Sequence, residues 1–205
     1  GETILRGFDN EATTLVANQM KSNGVDLQYG VNVVELDNRK NSFQIADNYG
    51  RVQDFDQILF ATGRLPNSYG LQNGSAGLSV GDKGEIIVNK YSQSSIDSIY
   101  AIGDLTNRKQ LTPIAIKEAM AFVQTAFFNN PTCLDYSSIP TAIFTKPEMG
   151  TVGLSEEVAA ERGPVDIFTT YFKPMRSGFA DNEEKSFIKL IVSKKTDRVL
   201  GVHIV

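Results

Sequence analysis

Cysteine occurs once in the 205 residues, at Cys133. No internal disulfide can form, and no dithiol redox centre can be built within the chain. A single cysteine fits a reducing compartment, and the cytoplasm is the expected location. Long apolar runs are also missing: none approaches the length of a membrane span, and nothing at the start resembles a signal peptide. Charge of one sign does not dominate. The 20 Lys and Arg against 24 Asp and Glu give a net charge of −4, with the signs interspersed. That leaves no electrostatic case for nucleic acid or an anionic membrane as partner. No G-x-G-x-x-G turn occurs, so a dinucleotide phosphate cradle of that kind is not encoded here. Internal repeats and low-complexity segments are absent.

What is present reads as a globular α/β chain. Hydrophobic residues make up 41% and charged residues 21%, which excludes an intrinsically disordered composition, and the length allows one or two compact domains. Residues 9–23 have the pattern of a helix: Asp9 or Asn10 can cap it, Ala12, Leu15, Val16 and Met20 form its apolar stripe, and Gly24 stops it. A strand follows at about 31–37. Residues 43–46 and 51–54 flank Asp47-Asn48-Tyr49-Gly50, a hairpin turn. The run 57–61 is almost continuously apolar, as a fully buried parallel strand would be. Leu65-Pro66-Asn67 then breaks the pattern and marks a boundary.

Between 68 and 138 the chain predicts a short β segment at 85–88, a strand at 98–102 and a helix at 113–129. The broad apolar stripe of that helix predicts burial on more than one side. From Ile139-Pro140 onward the pattern is a strand at 141–145, a short helix capped by Ser155 and ended by Gly163, and strands at 166–173 and 186–193. A turn at 194–197 leads to a last strand, so this region reads as a helix laid on an antiparallel sheet. The first eight residues begin in mid-element, and residues 198–205 read as a strand that meets the chain end. A fragment of a longer protein is therefore expected.

The stretch Ile99-Tyr100-Ala101-Ile102-Gly103-Asp104 carries the clearest chemistry. Gly103 permits close backbone approach because it has no Cβ, and Asp104 at the strand end can accept hydrogen bonds from ligand hydroxyls. Eight residues later Thr112 suits a helix cap and Pro113 the first helical position, and the free N–H groups there favour an electron-rich ligand atom. A flavin offers both partners, a polyhydroxylated chain and an electron-rich ring edge. Taken alone, Asp104 could as well be a turn-capping aspartate and Thr112 a plain helix cap.

The motifs Ala61-Thr62-Gly63-Arg64-Leu65-Pro66-Asn67, Ile99 to Asp104 and Leu111-Thr112-Pro113 occur in the order found in the pyridine nucleotide–disulfide oxidoreductases, which the chain resembles over essentially its whole length. Leu111-Thr112-Pro113 is similar to the glutathione- and trypanothione-reducing branches alike, and Ile4-Leu5-Arg6-Gly7-Phe8-Asp9, Phe144 to Leu154 (with Gly150-Thr151-Val152-Gly153) and the segment from Lys173-Pro174-Met175-Arg176 to Phe187-Ile188-Lys189-Leu190 are similar to the glutathione-reducing one. The resemblance implies the FAD/NAD(P)-binding disulfide-reductase architecture, α/β plus α+β, truncated at both ends. Residues 1–67 would be the second half of an NADP-binding domain, 68–138 a central FAD-contacting domain, and 139–205 the first half of a dimerisation domain.

The resemblance further implies FAD and NADP as cofactors, glutathione disulfide as substrate and a homodimer in the parent. The redox cysteine pair and the catalytic His-Glu pair would lie outside these residues, so no catalytic residue is assigned here and the chain alone is expected to be inactive. Asp104 would bind the FAD ribityl chain, with Gly103 before it. Thr112 would contact the flavin through its backbone N–H, with Leu111 beside it. Gly63 would pass close to the dinucleotides, and Arg6 would pair with the 2′-phosphate of NADP, a role suited to guanidinium. Gln110 and Ala142 would line the nicotinamide pocket with backbone.

At Met120 some relatives carry an arginine for a glutathione carboxylate. Methionine cannot make that contact, and helix packing is the preferred reading. His203 reads as a packed core histidine, Cys133 as incidental, and Glu183-Glu184 as a solvated turn. Another disulfide reductase, for trypanothione or mercury, and a non-catalytic dimerisation module are the alternatives.

Overall fold

In the computed structural model, residues 2–71, 77–180 and 185–205 are described; the turn at Glu183-Glu184 lies outside them. The chain divides into two compact units, one formed by Gly1–Ile58 with Ser137–Val205 and the other by Leu59–Tyr136.

In the first unit, helix α1 spans Asn10–Ser22. Its start is set by Asp9, whose Oδ1 accepts from the amides of Glu11 at 3.2 Å and Ala12 at 3.4 Å. Its end is set by Asn23 and by Gly24, which takes φ +87° and donates to the Lys21 carbonyl. Ala12, Thr13, Val16 and Ala17 form the buried face.

A three-stranded antiparallel meander follows: β1 (Val33–Asn38), β2 (Phe43–Asp47) and β3 (Val52–Phe55), in that order. The β2–β3 turn is the expected one. Asp47 accepts from the amides of Tyr49 and Arg51 and from Arg51 Nε at 2.7 Å, and Gly50 adopts φ +76°. Burial opposes ionisation of Asp47, but these amides and the guanidinium outweigh it and hold the carboxyl below its ordinary range.

The C-terminal part of this unit is a five-stranded antiparallel sheet of β4 (Thr141–Ile143), β5 (Met149–Gly153), β6 (Val165–Phe172), β7 (Ser186–Ser193) and β8 (Val199–Ile204), in the order β4-β5-β8-β7-β6. Helix α3 (Glu156–Arg162) starts at Ser155, whose hydroxyl accepts from the Val158 amide, and ends at Gly163. A short α4 (Met175–Phe179) precedes β7. The expected helix on an antiparallel sheet is therefore present. Its core joins Ala12 and Val16 of α1 to Met149, Phe187 and Val205.

In the second unit, a 3-10 turn at Gly103–Thr106 leads to helix α2 (Thr112–Phe127). Several expectations change here. The run 57–61 is not a buried strand: it forms no strand pairing among the described residues, and Leu59 and Phe60 are 89% and 65% exposed. No neighbouring strand among the described residues offers it a ladder. Residues 98–102 make a single bridge, Gln93 to Tyr100, and 85–88 a single bridge, Val80 to Ile86, because short segments without a third strand do not extend a sheet. The cap of α2 is Leu111 in extended conformation, with no side-chain hydrogen bond. Thr112 is already helical, because the Leu111 carbonyl accepts from the amides of Ile114 and Ala115.

Finally, α2 is buried on one side only, at Ile114 and Glu118. Ile116, Met120, Val123 and Phe127 recur at helical spacing on its exposed face, so Met120, at 66% exposure, is not a packing residue here.

Candidate functional site

The Gly-Asp turn is held by the helix that follows it. Gly103 is buried with φ +66°, and a Cβ on it would lie 3.1 Å from the Cβ of Ala115. The left-handed backbone favours glycine there, and any side chain would also need Ala115 to give by a few tenths of an ångström. Its amide donates to Glu118 Oε2 at 2.6 Å, one turn further along α2.

Glu118, which the sequence pattern did not single out, is the centre of the network behind the turn. It is almost fully buried and gathers three partners. Besides the Gly103 amide, Arg108 Nη2 lies 3.2 Å from Oε1, and the Tyr136 hydroxyl donates to the same oxygen. Arg108 is itself held, by Nη2 to Ser92 Oγ at 2.8 Å and Nε to Thr106 Oγ1 at 3.2 Å, and it stacks over the Tyr136 ring. Thr106 closes the circuit by donating to the Gly103 carbonyl at 2.9 Å. Burial and the bond to Glu118 push the Tyr136 phenol well above its ordinary value, with Arg108 pulling the other way. The only hint in the sequence was a carboxylate four residues after Ile114, at a position where the apolar stripe continues.

Asp104 is exposed beside this network, and its carboxylate has no hydrogen bond or ion pair among the described residues. Thr112 is exposed in the first turn of α2. The turn and the helix start are thus joined through Gly103, Ala115 and Glu118. Their free groups are a carboxylate, which accepts, and first-turn amides, which donate. That donor and acceptor set suits a ligand with hydroxyls and an electron-rich edge, as FAD has.

Leu111 donates to the Lys109 carbonyl at 2.9 Å, and exposed Gln110 donates from Nε2 to Asn107 Oδ1 at 3.2 Å. Gly63 takes φ +112° in an exposed segment, with open space where a side chain would begin.

Arg6 and Ala142 belong to the other unit. Arg6 is exposed at a sharp turn, between Leu5 with φ +51° and Gly7 with φ +86°. Ala142 is exposed on edge strand β4, opposite Gly150. His203 is buried as expected. Its Nε2 donates to the Leu154 carbonyl at 3.0 Å, which leaves Nδ1 to accept from the Thr151 hydroxyl at 2.7 Å. Cys133 is exposed and unpaired. No helix among the described residues is long and apolar enough to cross a membrane.

The sequence profile of the family described as "Pyridine nucleotide-disulphide oxidoreductase" matches residues 1–119, and that of the family's dimerisation domain matches residues 139–205. The chain is 38% identical over 206 residues to the glutathione reductase of Burkholderia cepacia, covering 100% of this chain and 46% of that protein. It is 43% identical over 202 residues to the chloroplastic/mitochondrial glutathione reductase of Pisum sativum, with 98% of this chain and 37% of that one covered. Against the trypanothione reductase of Leishmania donovani the identity is 37% over 207 residues, with 99% and 42% covered. Among solved structures, the Cu(II) complex of the HOCl-induced flavoprotein disulfide reductase RclA from Escherichia coli is similar with a TM-score of 0.87 at 26% identity, covering 99% of this chain and 46% of that one. The chain thus spans about half the length, or less, of the proteins it matches.

Proposed function

The chain belongs to the pyridine nucleotide-disulphide oxidoreductase family, and from that premise we propose that it is part of an FAD- and NADPH-dependent reductase of glutathione disulfide. The observation that carries this reading is the Gly103–Asp104 turn, fastened to the start of α2 through Ala115 and Glu118 with the Asp104 carboxylate left free. FAD, when bound, relays electrons from the nicotinamide to a cysteine pair outside this chain.

The residues here bind and orient. Asp104 accepts from ribityl hydroxyls, with Gly103 bringing the backbone close. The amide of Thr112, with Leu111 ahead of it, faces the flavin ring. Gly63 lets the chain run close to the dinucleotides, and Gln110 and Ala142 bound the nicotinamide with backbone. Arg6 pairs with the 2′-phosphate. Residues 1–67, 68–138 and 139–205 are the NADP-binding, central and interface portions. The dimerisation-domain match supports a homodimer. The cytoplasm is the proposed compartment, although one relative is named as chloroplastic/mitochondrial.

A second reading, reduction of trypanothione disulfide, is favoured by Met120, which offers no cation to a glutathione carboxylate and is exposed. Steady-state NADPH oxidation by the full-length protein separates the two. The proposal expects kcat/KM with glutathione disulfide to exceed that with trypanothione disulfide by at least about tenfold; the reverse order would overturn the substrate. Asp104→Ala in the same protein tests the site. It should weaken FAD retention by roughly 10- to 100-fold, the equivalent of losing hydrogen bonds to a charged acceptor, and Asp104→Asn less. The purified 205-residue chain should show no NADPH-dependent disulfide turnover.

A further inference from the structure

Lys189 stands in the middle of β7 and is 2% exposed. Its neighbours on the same strand face, Phe187 and Ile191, are fully buried and apolar. An ammonium in such a place survives only if it is paired. Its Nζ meets three carboxylates: Asp9 Oδ1 at 3.1 Å, Glu11 Oε2 at 3.1 Å and Glu156 Oε2 at 2.6 Å.

Asp9 and Glu11 come from the start of α1, and Glu156 from the start of α3. The second oxygen of Asp9 accepts the Glu156 amide at 3.1 Å, and Tyr171 on β6 donates to Glu11 at 2.7 Å. Burial opposes both charges. For Asp9 the Glu156 amide and the ammonium outweigh it and hold the carboxyl below its ordinary value. For Lys189 the bonds to Glu156, Asp9 and Glu11 outweigh it and hold the ammonium above its own.

The cluster fastens a loop. Asp9 follows Arg6 by three residues, and the chain reverses on either side of Arg6, with the Phe8 amide donating to the Leu5 carbonyl at 3.3 Å. Ile4, Leu5 and Phe8 pack against the core that Ala12 and Val16 of α1 form with Met149, Phe187 and Val205. The loop is therefore tied to β7 through Asp9 and to the core shared by α1 and the five-stranded sheet, and Arg6 is exposed at its tip.

We propose that Lys189 is a positioning residue for nucleotide selection: by gripping Asp9 it fixes the loop that presents the Arg6 guanidinium to the 2′-phosphate of NADPH. A strand of the dimerisation domain thereby sets the preference for NADPH over NADH. The inference deepens the reading of Arg6 given above and rests on it.

The test uses the full-length enzyme and four variants: Arg6→Met, Lys189→Met, Asp9→Asn and Glu156→Gln. KM and kcat are measured with NADPH and with NADH. Lys189→Met should raise KM for NADPH roughly 3- to 30-fold while KM for NADH moves little, and Asp9→Asn should shift the same ratio in the same direction. Glu156→Gln, whose side chain is half-exposed, should have the smallest effect.

A merely structural Lys189 would lower the activity with both nucleotides alike, and that result overturns the proposal. If Lys189→Met does not fold, Asp9→Asn decides, because asparagine keeps the helix-cap acceptor while removing the charge that Lys189 grips, at the cost of the second oxygen that accepts the Glu156 amide. An unchanged nucleotide preference in Asp9→Asn would overturn the proposal as well. Arg6→Met tells the two failures apart. If it leaves the preference for NADPH intact, the Arg6 reading itself is wrong. If it abolishes the preference while the Lys189 and Asp9 variants do not, only the positioning role falls.

Discussion

Replacing Glu118 with alanine removes the one acceptor that holds the Gly103 amide, the Tyr136 hydroxyl and Arg108 together. Breaking a buried ion pair by deleting one partner costs about 3–5 kcal/mol, and an unsatisfied buried donor about 1–3 kcal/mol. The two overlap here. Arg108 keeps its bonds to Ser92 and Thr106 and is 23% exposed, so its share lies at the low end. Because these costs overlap rather than add, the expected loss for Glu118→Ala is about 3–4 kcal/mol. Glu118→Gln retains an oxygen for one donor and should lose about 1–3 kcal/mol.

Against a native stability of about 5–15 kcal/mol these are large fractions. The assay is urea unfolding of the full-length flavoprotein, followed in parallel by far-UV circular dichroism and by FAD release. Because the Gly103–Asp104 turn hangs from Glu118, FAD release should move to lower urea by more than the global transition does. A Glu118→Ala protein with the unfolding midpoint and FAD affinity of the parent would refute the reasoning, since the network would then be ornamental to the turn.

Three further outcomes are expected. The Asp9 carboxyl titrates below its ordinary 3.8, so its contribution to stability is present above that pH and is lost as pH falls through the lowered value. Lys189 is raised above 10.5, so its contribution is complete below that pH and is lost only at still higher pH. Stability contributed by the cluster should therefore be level between about pH 5 and 10 and fall in acid, with a shallower acid slope in Asp9→Asn; equal slopes would count against the ion cluster. Gly201→Ala should destabilise the five-stranded sheet by several kcal/mol, at least about 3, because its Cβ would collide with the Leu154 carbonyl oxygen across the β5–β8 pair. A thermal midpoint unchanged by Gly201→Ala would contradict that packing. Thr151→Val should cost about 1–3 kcal/mol by leaving buried His203 Nδ1 without a donor, and Thr151→Ser should restore most of it, as read by the unfolding midpoint.

The elements that were legible in the sequence are those whose causes are local. Asp9 and Gly24 bracket α1, Ser155 and Gly163 bracket α3, and Asp47 with Gly50 makes the β2–β3 turn, each through bonds a few residues long. The elements misread are those whose periodicity describes an environment that something else must supply. The run 57–61 has the composition of a strand buried on both faces, yet a ladder needs neighbours, and none of the described residues pairs with it. Ile116, Met120, Val123 and Phe127 likewise form a stripe fit for burial that faces outward.

The site shows the opposite failure. Gly103 and Asp104 stood out, whereas Glu118 and Lys189, which bond to Gly103 and Asp9, did not. Both sit where the local period calls for a hydrophobe: Glu118 one turn after Ile114, Lys189 midway between Phe187 and Ile191. A charge at such a position reads as an interruption of the pattern. Physically it is stronger information than another apolar residue would be, because burying a lone charge costs so much that the pattern can persist only if a partner of opposite sign is folded against it. For Lys189 that partner is 180 residues away in the sequence, and it lies at the foot of the Arg6 loop. An interrupted stripe is thus a place to look for a long-range tie, and in this chain each such tie ends beside a residue proposed to bind a cofactor.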